Sequence, residues 1–166
     1  MVTKSEKPTL FAQFNRARRR WLGALVATGG VAALGHGAAV HGATKSGPKH
    51  RLVYQFNKAD EDYHQHVLFS ASEVLRKYNG NIDLVVVCFG PGIHILAQFP
   101  QRPVSKETEQ RVAALAKQGV EFHACNNTLK SLGWSADDLH EFAKVVDVGA
   151  GDLMELQEQG YAYVSW

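Results

Sequence analysis

The run VEFHACNNTLKSLG, residues 120–133, changes character at its centre. Residues 120–125 form the short apolar run expected of a strand. Asn126-Asn127-Thr128 then opens a short helix around residues 128–132, which Gly133 ends. A single thiol, Cys125, closes the apolar run and stands just ahead of the helix start. The whole chain turns on whether this junction repeats elsewhere and whether its thiol is a working group or packing.

Outward from that junction the same alternation recurs. Upstream, residues 105–118 place Val112, Leu115 and Ala116 at helical spacing, with Ser105 as N-cap and Gly119 as terminator. IDLVVVCFG, residues 82–90, is a continuous β-branched apolar run of the kind covered on both faces. Residues 60–78 put Tyr63, Val67, Leu68, Ala71, Val74, Leu75 and Tyr78 at three- and four-residue steps, with three acidic residues in the first turn. That pattern predicts a helix. RLVYQFN, residues 51–57, is a first strand. Downstream, Ser135 and Asp138 form a capping-box start, residues 144–148 a fourth strand, 152–159 a helix and 161–166 a last strand. Strands alternating with helices predict an α/β fold, a single three-layer domain around a mostly parallel five-stranded sheet.

Composition narrows the function classes. Six of the eighteen Lys and Arg fall in the first twenty residues. From Thr44 onward 12 basic residues face 15 acidic ones, a balance of −3, which argues against nucleic-acid or anionic-membrane partners. Two cysteines without CxxC spacing exclude a disulfide framework and a zinc ribbon. No GxGxxG or Walker lysine is present, so a phosphate-cradling role for FGPGIH is weakly supported and no cofactor is expected.

Residues 1–43 read as an address. A basic cluster runs into an apolar Gly- and Ala-rich stretch and ends in small residues, the layout of a bacterial export signal. Arg18-Arg19-Arg20-Trp21-Leu22 resembles the twin-arginine consensus, which implies removal between Ala39 and Ala43 and a periplasmic mature protein of about 123 residues. The alternative is an uncleaved anchor over residues 21–40; five glycines and His36 make it a poor one. Residues 44–50 read as a linker and residues 51–166 as the folded domain.

In an open parallel sheet ligands gather beyond the carboxyl ends of strands, which points to Asn57, residues 90–96 and residues 125–128. Gly90, Gly92 and His94 are candidate ligand contacts. His123 lies two positions before Cys125 and shares its side of the strand. Two readings stay open for Cys125: a small buried hydrophobe, or a thiolate favoured by a helix N-terminus. Cys88, inside VVVCFG, reads as core. A metal or ligand site built from His94, His123 and Cys125 is chemically sensible. His64 and His66 read as exposed side chains.

The run VEFHACNNTLKSLG resembles the cysteine segment of the DsrE/DsrF-like family, with Cys125, Leu129 and Gly133 at the matching positions. VVVCFGPGIHIL resembles the family's Gly-rich loop and VGAGDLMELQEQGYAYV its C-terminal end, so the similarity spans residues 51–166. The resemblance implies a YchN-like fold, a sheet similar to the flavodoxin type, and homo-oligomers, trimers or hexamers. It also implies that Cys125 carries sulfane sulfur as a persulfide; on that reading His123 and Asn126 are the nearest polar support, and a sulfur donor or acceptor protein is the expected partner. Such a chain is a carrier more than a high-turnover enzyme. The competing expectations are a small-ligand or metal-binding module and a structural oligomer in which Cys125 only packs.

Overall fold

The computed structural model describes Pro48 and residues 50–166; the export-signal reading of residues 1–43 and most of the linker lie outside the described residues. Five strands form one sheet: β1 (His50–Phe56), β2 (Ile82–Cys88), β3 (Glu121–Cys125), β4 (Ala143–Val146) and β5 (Ala162–Val164). Four α-helices connect them: α1 (Glu61–Lys77), α2 (Lys106–Lys117), α3 (Asn126–Leu132) and α4 (Gly149–Glu158). The strand order is β4-β3-β2-β1-β5, and every pairing is parallel.

Chirality explains where the helices go. The steps from β1 to β4 all proceed in one direction across the sheet, so right-handed crossovers keep their helices on one face. The step from β4 to β5 runs back to the far side of β1, and the same handedness carries α4 to the opposite face. The cores agree with this layering. Tyr54, Phe56, Leu84, Val86, Phe122 and Ala124 of the strands pack with Val67, Leu68, Val112, Leu115 and Leu129 on the first face. Val53, Val85 and Val87 pack with Leu153 and Leu156 of α4 on the second. β2 is buried on both faces, as its unbroken apolar run requires.

Local chemistry sets the helix ends. Asp60 caps α1 by accepting from the Tyr63 N–H at 2.9 Å, and Ser105 caps α2 by accepting from the Thr108 N–H at 3.0 Å. Gly133, at φ 70°, closes α3 in the left-handed region. Ser135 and Asp138 form the capping box expected of them, over a three-residue 3-10 turn.

Several boundaries differ from the sequence expectations. His50 already pairs with Ile82, so β1 takes the last linker residue. α3 starts at Asn126, directly after Cys125, rather than around Thr128, and α4 starts at Gly149 rather than Asp152. His64 is buried, not exposed: its ring stacks on Phe56 at 5.1 Å and Nε2 contacts the Lys58 carbonyl at 2.9 Å. His66 is exposed, as expected.

The two cysteines are free and side-chain alternation turns them to opposite faces. Cys88 lies in the larger core, opposite Ala124 in register, while Cys125 is one position further along β3 and faces α4. Mass analysis without reductant is therefore expected to find two free thiols; an intramolecular bridge would require the sheet to open.

Candidate functional site

Cys125 is the last residue of β3 and the N-cap of α3, with the extended backbone (φ −69°, ψ 116°) of that position. An N-cap side chain faces the N–H groups two and three residues on, normally with an oxygen. Here sulfur stands in that place: it makes no capping hydrogen bond, but the N–H groups of Asn127 and Thr128 and the Thr128 hydroxyl lie around it and favour a negative charge there. A fourth donor comes from across the sheet: the N–H of Gly149, first residue of α4.

This convergence follows from topology. β3 leads into a helix on one face and β4 into a helix on the other, so the crevice between their carboxyl ends is the switch point of the sheet. Cys125 pairs with Val146 across that crevice, and the starts of α3 and α4 both meet the sulfur. Position 149 is tight: a Cβ there would lie 3.1 Å from Phe89 Cδ1 and 3.2 Å from Cys125 Cβ, so glycine brings the start of α4 against the cysteine without displacing either side chain. Thr128 is itself oriented: its Oγ1 accepts from the Gly90 N–H at 3.0 Å, which leaves its proton free for the sulfur.

Burial alone pushes the Cys125 thiol up, but the Gly149, Thr128 and Asn127 donors outweigh it and hold the thiol below its ordinary value. Cys88 is fully buried with no such donors, and desolvation drives its thiol far above the usual range. Two cysteines of one sheet thus have opposite surroundings. Beside the crevice an open groove of about 430 Å³ runs along β4 and the first turn of α4, lined by Lys144, Val146, Val148, Gly151 and Asp152 among others.

His123 shares the α4 face with Cys125, as alternation predicts, and is 2% exposed. Its Nδ1 lies 2.6 Å from Asp152 Oδ2 and its Nε2 3.2 Å from Glu121 Oε2. Asn126 is the first residue of α3, and the α3 donors that face the sulfur belong to the two residues after it.

The Gly-rich segment forms a 3-10 helix, Gly90–Leu96. Gly90 (φ 51°) supplies the N–H to Thr128, whereas Gly92 is pressed against the end of β1. His94 is buried with its ring edge-on to Trp134 at 5.0 Å; burial and the nearby Arg102 charge both lower its pKa. Its neighbour Trp134 packs on the larger core, whereas His123 bonds to α4 on the other face. The structure therefore does not bring His94, His123 and Cys125 together. Among the described residues no group of three His, Cys, Asp or Glu side chains is arranged to hold a metal ion.

Thr128, Gly149, Phe89 and Asp152 were not singled out from the sequence. Thr128 carried a readable signal, since it stands at the third helical position after an N-cap. The other three reach Cys125 or His123 only through the fold.

Comparison with known proteins agrees with this architecture. No curated protein matched the chain. Among solved structures it is similar to a protein of unknown function, MTH1491, from Methanobacterium thermoautotrophicum, at 27% identity and a TM-score of 0.63, over 70% of this chain and 99% of that one. It shares its fold with the ychN protein of E. coli at 15% identity and a TM-score of 0.56, over 70% and 99% of the two chains. The family model that matches residues 49–166 covers every strand and helix described above: the chain belongs to the DsrE/DsrF-like family.

Proposed function

We propose that this protein is a sulfur-relay-type carrier that holds sulfane sulfur as a persulfide on Cys125. The observation that carries the reading is the place of Cys125 at the switch point of the sheet, as N-cap of α3 and packed against the first residue of α4, where backbone donors surround its sulfur. Such donors favour the thiolate, which is the nucleophile in sulfur exchange. In the loading step the Cys125 thiolate attacks the outer sulfur of a donor persulfide or polysulfide. A new S–S bond forms on Cys125, the donor's S–S bond breaks, and the electron pair leaves with the donor's thiolate. Unloading to an acceptor thiolate is the same exchange in reverse, so neither step needs an external oxidant or reductant.

The same donors that favour the thiolate suit the terminal sulfur anion of a persulfide, which extends from the same position. The proposal includes twin-arginine export to the periplasm, supported by Arg18-Arg19 and the weakly apolar run that follows, and assembly as a homo-oligomer that meets a sulfur donor or acceptor protein. The test is treatment of the folded protein with inorganic polysulfide, removal of excess, and peptide mass analysis without reductant. One added sulfur on the Cys125 peptide and none on the Cys88 peptide is the expected outcome. An unmodified Cys125 peptide would sink the carrier reading.

A further inference from the structure

α4 begins where its own sequence gives little reason to begin. Its first turn is Gly149-Ala150-Gly151-Asp152, two glycines in the first three positions, each about 1 kcal/mol poorer than alanine in a helix interior. Its N-cap, Val148, makes no side-chain capping bond. Tertiary contacts must hold this turn in place. Three are present: Phe89, just after β2, packs on Gly149, and the other two come from β3. Cys125 meets Gly149, and His123, buried and two positions earlier on the same face, meets Asp152 through a 2.6 Å contact.

The spacing makes the pair a clamp. Residues 123 and 125 stand about 6.6 Å apart along a strand, and residues 149 and 152 about 4.5 Å apart along a helix axis. A helix held only at Gly149 can pivot about that contact; a second anchor on the same strand removes the freedom. An ionised carboxylate only accepts, so the contact with Asp152 makes Nδ1 of His123 a donor. The other charged groups facing His123 are Glu121 on its own strand, 3.2 Å from Nε2, and Lys144 at the paired position of β4, 4.0 Å from Glu121. β2 offers only Val87 at its paired position.

We infer that His123 and Asp152 are positioning residues for the Cys125 thiolate: their partly buried contact locks the first turn of α4 so that Gly149 stays packed against Cys125 with its N–H beside the sulfur. The inference rests on the reading of Cys125 as a working thiolate and goes beyond it, because neither residue touches the sulfur. His123 acts through a helix turn, not as a base on the thiol.

The test follows the iodoacetamide reaction of Cys125 against pH in wild type, Asp152→Ala and His123→Ala, both of which remove the contact, with circular dichroism to verify folding. Loosening the Gly149 donor is expected to move the titration midpoint upward by about half to one pH unit. Below the midpoint that is a roughly three- to tenfold slower reaction, with the alkaline plateau rate kept. Folded variants with the wild-type midpoint would overturn the inference.

Should both variants misfold, the wild-type protein decides by nitrogen NMR. The Gly149 amide is expected to shift with the Cys125 midpoint, and Nδ1 of His123 to carry a proton. A Gly149 amide blind to that titration, or a bare Nδ1, would overturn it. Thiol alkylation needs no sulfur donor, so failure of polysulfide loading in wild type would end the carrier reading without touching this result.

Discussion

Cys125→Ser is expected to abolish polysulfide loading and to leave a folded protein whose stability has lost one pH-dependent component. Serine matches the shape of the site and is an ordinary N-cap residue for the start of α3, so the fold should survive. What disappears is the titration. The folded-state thiol lies below its ordinary value of ~8.5, so the unfolded chain binds more protons between the two. Thiolate formation therefore stabilises wild type fully above the unfolded value, and the effect is lost as pH falls through the folded one. Denaturant midpoints of wild type minus Cys125→Ser should rise across that window and level off above it. A difference that is flat or falls with pH would contradict the donor geometry, while residual loading in the variant would move the chemistry to another residue.

Gly92→Ala is expected to cost about 3 kcal/mol or more, at or beyond the upper end of overpacking effects. A Cβ at that position would sit 2.5 Å from the Phe56 carbonyl oxygen, 2.7 Å from its carbon and 2.8 Å from the Asn57 nitrogen. All three are backbone atoms at the end of β1, so no side-chain rotation relieves the clash. The 3-10 segment would have to lift, which also strains the bond from the Phe89 N–H to the Phe56 carbonyl at 3.1 Å and shifts Gly90, which orients Thr128. Gly80→Ala is the comparison: it meets open space and faces only the cost of a positive φ, roughly 1 kcal/mol. Urea denaturation separates the two, and a Gly92→Ala midpoint equal to that of Gly80→Ala would refute the close approach.

Much of the fold was legible because its signals are local. The β-branched run of β2, the periodicity of α1, the capped periodicity of α2, and the glycine that ends α3 each follow from a few adjacent residues, and the structure bears them out. The start of α4 was not legible. Gly149-Ala150-Gly151 reads as a loop by propensity, and contacts with Phe89, Cys125 and His123, all more than twenty positions away in sequence, reverse that preference. His64 misled for a related reason. Its polarity suggests solvent, but it stands one turn before Leu68 on the buried face of α1, where the Lys58 carbonyl satisfies Nε2. The site divides in the same way. Cys125 and His123 share a face by strand alternation, which sequence shows. Gly149 and Asp152 arrive by a crossover whose landing point depends on strand order, and His94 fails to join them because its segment packs on the other face.

The central claim is that Cys125, and not Cys88, is a thiolate-forming thiol held by donors from two helix starts. The most direct measurement is the rate of iodoacetamide labelling at each cysteine of the folded wild-type protein from pH 5 to 9, resolved by peptide mass analysis. The predicted result is a Cys125 titration with its midpoint below the ordinary thiol value, and a Cys88 that stays unlabelled across the range. A Cys125 midpoint at or above ~8.5, or equal labelling of both residues, would contradict it.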